Sequence, residues 1–229
     1  MSKLLSIIIP TRNSAKFLES CLNSIGQQSF KKFEVVFVDC GSTDDTLKLA
    51  ASFPQGRILA QIGIGLAAAW NQGILASHNK YVGFLDSDDY WEPRCLTHHM
   101  NNLLNSPEID YSIGSVRYFA ENKNELPYGF KPSLLTGSYR ALMPGCFVGK
   151  RDLFDRVGLF DETLTVAPDI QWFHDLKLTN ANFRDVETIV LNKRVHAQNL
   201  SYSLSKTPIY NSEILRVIKR RLGRTSNDA

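Results

Sequence analysis

No stretch of this 229-residue chain is apolar for the roughly 18–20 residues that a membrane-spanning helix needs. The first apolar run, residues 4–9, is stopped by Pro10 and has no small-residue cleavage site, so it reads neither as a span nor as a leader. Cysteine is sparse. Cys21, Cys40, Cys95 and Cys146 are scattered with no Cys-x-x-Cys pair, which excludes zinc-site spacing and a disulfide framework and fits a reducing cytoplasm. Neither sign of charge prevails: 26 Lys and Arg against 23 Asp and Glu give a net charge of +3, too little for a nucleic-acid binder held by bulk electrostatics. There is no internal repeat and no low-complexity tract. The remainder is ordinary globular composition, 43% hydrophobic and 21% charged, at a length that suits one α/β domain with a sizeable core.

Along the chain, apolar runs alternate with helical periodicity. Residues 4–9 and 33–38 read as buried strands, and 57–61 as a third short strand. Between the first two, Phe17, Leu18, Cys21, Leu22 and Ile25 fall on one helix face. Ser42 with Asp45 suggests a capping arrangement for a second helix reaching to about Phe53. Leu66, Trp70 and Ile74 recur every four residues and predict a third helix. The β-α-β-α-β order predicts right-handed crossovers and a parallel sheet. Further on, Glu92-Pro93 predicts a helix start, residues 111–119 a strand, 121–131 a polar loop, 151–157 a short helix, 186–191 a last strand and 194–201 a loop. A helix begins at Asp169.

The stretch with the most chemistry is Tyr81-Val82-Gly83-Phe84-Leu85-Asp86-Ser87-Asp88-Asp89, a short buried strand running into three carboxylates. Ligands of α/β sheets sit beyond the strands' carboxyl ends, so the charge is aimed where a ligand would bind. Like charges this close repel unless neutralised, and the natural neutraliser is a hard divalent cation. Such a cation, held by one or two carboxylates, fills its other positions with water and substrate phosphates. The bland alternative is a polar turn that ends the strand and caps the next helix.

Four motifs together resemble the inverting family 2 glycosyltransferases of GT-A fold: Ser6-Ile7-Ile8-Ile9-Pro10-Thr11-Arg12-Asn13; Val38-Asp39-Cys40-Gly41-Ser42-Thr43-Asp44; Ala69-Trp70-Asn71-Gln72-Gly73-Ile74 leading to Phe84-Leu85-Asp86-Ser87-Asp88-Asp89; and Gly158-Leu159-Phe160-Asp161-Glu162 ahead of Asp169. The resemblance implies a Rossmann-like, mostly parallel sheet flanked by helices with a smaller C-terminal acceptor-side part. It implies one domain over 1–205, split into a nucleotide-binding half (1–110) and an acceptor-side half (111–205), then a basic amphipathic tail at 206–229. It places Pro10, Thr11, Asn13 and Asp39 at the nucleotide base, Asp86 near the ribose, Ser87 among the nucleotide-sugar-binding residues, and Asn71 on the donor side. Asp88, with His196 as a second candidate, would ligate Mn²⁺ or Mg²⁺. Asp169 matches the catalytic base, with Asp161 and Glu162 as rivals. The implied reaction moves a sugar from a nucleotide diphosphate sugar, a UDP-sugar first, to a saccharide or lipid-linked acceptor in bacterial surface-polysaccharide or glycoconjugate synthesis.

Two departures from the family pattern bear on the base: Cys40 stands where many relatives have a second Asp, and Arg12 replaces the usual aromatic. They keep open a non-catalytic nucleotide-sugar-binding domain. A sugar-phosphate nucleotidyltransferase is the other rival, but Pro10-Thr11-Arg12-Asn13 is not the glycine-rich basic loop expected there. In the tail, Ile209, Ile214, Leu215, Ile218 and Leu222 oppose Arg216, Lys219, Arg220, Arg221 and Arg224. That pattern reads either as a helix packed on the domain or as a peripheral contact with the inner face of an anionic membrane.

Overall fold

A computed structural model describes residues 3–122, 124–200, 212–213 and 215–218. The N-terminal half alternates strand and helix: β1 (Leu5–Thr11), α1 (Ala15–Gly26), β2 (Phe33–Asp39), α2 (Thr46–Ala51), β3 (Gly56–Ala60), α3 (Leu66–Ala76) and β4 (Tyr81–Phe84). These strands pair in the order β3-β2-β1-β4, all parallel, as the alternation predicts. The second half contributes β5 (Tyr90–Trp91), α4 (Cys95–Asn105), β6 (Tyr111–Phe119), β7 (Ser138–Arg140), β8 (Phe147–Lys150), α5 (Leu153–Arg156), α6 (Pro168–Lys177) and β9 (Phe183–Arg194). Here the sheet changes direction. β8 is antiparallel to both β4 and β6, while β9 runs parallel to β6 and ends against β5.

The core lies where the sequence is most apolar. Ile7, Ile8 and Ile9 of β1 and Val35, Val36, Phe37 and Val38 of β2 are inaccessible to solvent. Helix α3 packs against β1 so closely that a Cβ on Gly73 would stand 2.4 Å from Ile8 Cγ2. Gly73→Ala should therefore cost about 1–3 kcal/mol through overpacking, read by chemical denaturation. A loss under about 0.5 kcal/mol, typical of a surface change, would show that the contact is not tight. Trp70, on the same helix, is core: its ring lies 4.9 Å from that of Phe160 and 6.2 Å from that of Phe84.

Several expectations need correction. Helix α2 begins at Thr46, a turn later than a Ser42 cap requires. Asp44 Oδ1 accepts from the Thr46 backbone N–H at 3.0 Å and hydroxyl at 2.5 Å, and Ser42 bonds to Asp39 instead. The last strand is twelve residues long rather than six, because its polar ends pair along β6 across a bulge. Tyr90–Trp91 forms a strand against Leu191–Asn192, and the helix after Pro93 starts at Cys95.

Ser201 at the end of the loop, and Ile209, Ile214, Lys219, Arg220, Arg221, Leu222 and Arg224 of the tail, lie outside the described residues. The described part packs on the domain: Glu213 Oε2 accepts from the Val166 N–H at 2.6 Å, Arg216 donates to Thr163 Oγ1 at 3.2 Å, and Val217 is buried. Among the described residues, no helix is long and apolar enough to cross a membrane.

Candidate active site

The carboxyl ends of β1 and β2 form the first wall of the site. Thr11 and Asp39, the last residues of the two strands, are register partners, and Thr11 Oγ1 donates to Asp39 Oδ1 at 3.1 Å. Beyond them the chain turns through Gly41 at φ +71°, a conformation that favours glycine. That turn brings Ser42 back, so that its hydroxyl donates to Asp39 Oδ1 at 2.5 Å and its N–H to Oδ2 at 3.0 Å. Asn13, in left-handed backbone at φ 46°, ties the two loops together: its N–H donates to Ser42 Oγ, and its Oδ1 accepts from the Thr43 N–H at 2.8 Å. Pro10 pairs with Val38 just below. Asp39 is thus locked in place while Oδ2, with one donor, retains capacity for another N–H.

The second wall follows β4. Asp86, Asp88 and Asp89 offer carboxylate oxygens within 4.8 Å of one another. A tight turn, with the Asp89 N–H donating to Asp86 O at 3.1 Å, packs them together. Ser87 between them shares a 2.7 Å hydrogen bond with Ser14, which anchors the turn to the start of α1.

Opposite charge comes from the end of β9, more than a hundred residues later. Lys193 Nζ donates to Asp86 Oδ2 at 3.0 Å and to Asp89 Oδ2 at 2.9 Å. The Arg194 N–H donates to Asp89 Oδ1 at 2.8 Å, and its Nε to the Asp88 carbonyl at 2.9 Å. The guanidinium of Arg194 is sandwiched between the rings of Phe17 and Phe119, each 4.8 Å away, and pairs with Glu121. Asp88 is the carboxylate left to softer partners: its Oδ2 meets His196 Nε2 at 2.9 Å and the Asn199 amide at 3.0 Å. His196 Nδ1 is enclosed and has no partner.

The titration of these groups follows from the packing. Burial pushes the Asp89 carboxyl up to about 7, with Asp88 and Asp86 adding to the rise and Lys193 opposing it. Burial also works against ionisation of Asp88, but His196 and Lys193 outweigh it and hold that carboxyl below the ordinary range. Burial disfavours the Lys193 ammonium, yet Asp89, Asp86 and Asp88 together keep it firmly charged.

Asp169 sits in the first turn of α6, after Pro168 and a left-handed Ala167. Its carboxyl is raised above the ordinary 3.8, first by burial and then by the charge of Asp86, with the Ile170 N–H and Lys193 pulling the other way. Asn71, expected on the donor side, bonds to the segment at residues 160–162. Its Nδ2 donates to Phe160 O at 2.9 Å and Glu162 Oε1 at 2.8 Å, and its Oδ1 accepts from the Phe160 N–H at 2.9 Å. It is buried and clamps the segment that leads into Asp169. Asp161 is a turn anchor, accepting from the Thr163 N–H and hydroxyl. Sequence reasoning missed Lys193 and Arg194. The signal was available in a basic pair two residues ahead of His196, complementary to an acidic triplet.

A parallel half-sheet with a carboxylate at the end of its second strand and an acidic cluster after its fourth is the architecture of the GT-A transferases. The model of glycosyl transferase family 2 matches residues 6–158, and the chain belongs to that family. It is 29% identical over 209 residues to an uncharacterized glycosyltransferase of Rickettsia prowazekii, covering 86% of this chain and 65% of the relative. It is 26% identical to the chondroitin synthase of Escherichia coli, covering 96% of this chain but 33% of that protein. A crystal structure of S. aureus TarS 1-349 in complex with UDP-GlcNAc shares the fold, with a TM-score of 0.73 and 21% identity, over 95% of this chain and 65% of that TarS chain. The chain thus spans from one third to about two thirds of the length of these proteins.

Proposed function

We propose that this chain transfers a sugar from a UDP-sugar to an acceptor hydroxyl with inversion at the sugar carbon, in the assembly of a polysaccharide or glycoconjugate. The observation that carries the reading is the acidic cluster just beyond β4, with carboxylate oxygens within 4.8 Å of one another and Asp88 against His196, at the carboxyl ends of parallel strands where Asp39 also stands. The names of the relatives support the substrate class, since chondroitin synthase makes a polysaccharide and TarS was crystallised with UDP-GlcNAc.

In this reading Asp39 Oδ2 accepts the uracil N–H, with Thr11, Ser42 and Asn13 fixing its position and Pro10 flooring the base. Asp86 and Ser87 lie toward the ribose. The donor set at Asp88 fits a divalent cation: a carboxylate oxygen and an imidazole nitrogen 2.9 Å apart, beside two further carboxylates. Asp88 and His196 would hold Mn²⁺ or Mg²⁺, which when bound supplies charge stabilisation to the departing diphosphate. Asp169 takes the proton of the acceptor hydroxyl as that oxygen attacks the sugar carbon from the face opposite the leaving group. One base suffices, because the leaving diphosphate needs no protonation by a second carboxylic acid.

Four free thiols fit a reducing compartment, and exposed Leu215 (56%) and Ile218 (42%) support peripheral contact with a membrane bearing the acceptor. The test is release of UDP from a panel of UDP-sugars with saccharide acceptors and Mn²⁺. Activity should fall on acidification through the carboxyl of Asp169, because the base works only when ionised. Since that carboxyl is raised, the acid limb of kcat/KM should lie above the ordinary aspartate value of 3.8. A limb at or below that value would remove Asp169 from the role.

A further inference from the structure

The acidic triplet is not evenly available to a cation. Lys193 Nζ commits Asp86 and Asp89 at 3.0 and 2.9 Å, and the Arg194 N–H occupies the other oxygen of Asp89. Asp89 is fully buried, whereas the Lys193 side chain retains 23% exposure at the mouth of the site. Arg194 adds little net charge to the triplet, because its guanidinium is spent on Glu121 and on the rings of Phe17 and Phe119. Of the three, only Asp88 lacks a lysine or arginine side chain as hydrogen-bond partner; its side-chain partners are His196 and Asn199.

We propose that Lys193 is the resident counter-ion of this cluster, and that it makes metal capture depend on the nucleotide. The proposal rests on the reading of Asp88 and His196 as metal ligands. Three uncommitted carboxylates within 4.8 Å would form a strong hard-cation site by themselves. With Lys193 in place, the protein offers one carboxylate and one imidazole, too few to replace the ion's water shell. The remaining ligands must come from the diphosphate. Metal and nucleotide then bind as a coupled pair, each raising the affinity for the other by the same factor. The pair also leaves together, so that no ion stays trapped after product release. Lys193 is thus a positioning residue, acting through the carboxylates it holds rather than on the substrate.

The experiment is an electron paramagnetic resonance titration of Mn²⁺ into the full chain, with and without UDP and without any sugar donor, so that no turnover enters. Wild type should bind Mn²⁺ weakly alone and much more tightly with saturating UDP. Lys193→Met should bind Mn²⁺ without UDP at least about tenfold more tightly than wild type, since removing one nearby positive charge frees Asp86 to act beside Asp88. Lys193→Arg should behave as wild type, and near-UV circular dichroism confirms that both variants are folded. If Lys193→Met matches wild type without UDP while UDP promotes Mn²⁺ binding in both, the role of Lys193 is overturned and the metal reading stands. If wild type binds Mn²⁺ tightly without UDP, the proposal fails whatever the variants do. If wild type binds no Mn²⁺ even with UDP, the assignment of Asp88 and His196 fails first and takes the proposal with it.

Discussion

Asp169→Asn should lower the rate of sugar transfer by about 10²–10⁴-fold, the range that a positioned general base contributes, while leaving UDP and Mn²⁺ binding unchanged. The substitution keeps shape and removes only the capacity to take a proton. It should not cost stability. A carboxyl raised in the folded state contributes stability that is present below its unfolded pKa and lost as pH rises through the folded one, so at neutral pH the ionised form is a burden. The melting temperature of Asp169→Asn at pH 7 should equal or exceed that of wild type while turnover collapses. Turnover is the discriminating readout, because asparagine caps a helix about as well as aspartate, and an Asp169 that only capped α6 would leave the rate unchanged. The rivals hold other hydrogen bonds: Glu162 accepts from Asn71, and Asp161 from Thr163. Retained turnover in Asp169→Asn would refute the assignment. Rate assays and thermal melts on one preparation decide it.

Asp88→Asn should abolish the contribution of metal to nucleotide binding. The change removes the one carboxylate of the cluster not paired with Lys193 or with the Arg194 N–H, and with it the charge that His196 and Asn199 surround. Metal stabilisation of a diphosphate is worth several kcal/mol, so turnover should fall by about 10²-fold or more. UDP affinity in Mn²⁺ should drop to the value without Mn²⁺. A calorimetric titration of UDP at fixed Mn²⁺ reads the difference. Persistence of the metal effect in Asp88→Asn would move the ligand to Asp86 or Asp89 and undo the distinction drawn between them.

The parts of the molecule legible in the sequence are those set by local pattern. β1, β2 and β4 are apolar runs with both faces covered, so composition alone marks them, and Thr11, Asp39 and Asp86 stand at or just beyond their ends. Asp169 was legible as an acidic residue at a helix start. What the sequence hid is set by pairing between distant segments. β5 has only two residues and exists because Leu191 and Asn192 lie beside it. The ends of β9 are polar and become strand only by pairing along β6. Lys193 stands 107 residues from Asp86, and no local pattern joins them. Asn71, which the resemblance placed on the donor side, bonds through its amide to the backbone of Phe160 and to Glu162, partners 89 and 91 residues away. Contacts between segments so far apart cannot be read from spacing.

The most direct test of the donor site is a thermal-shift comparison of UDP, GDP, dTDP and CDP, each with and without Mn²⁺, since a ligand of the folded state raises apparent stability by mass action. The expected result is a shift for UDP that grows with Mn²⁺ and disappears in Asp88→Asn. A folded sample that shifts with none of the four nucleotides, with metal present, would contradict a nucleotide-sugar site at the ends of β1, β2 and β4.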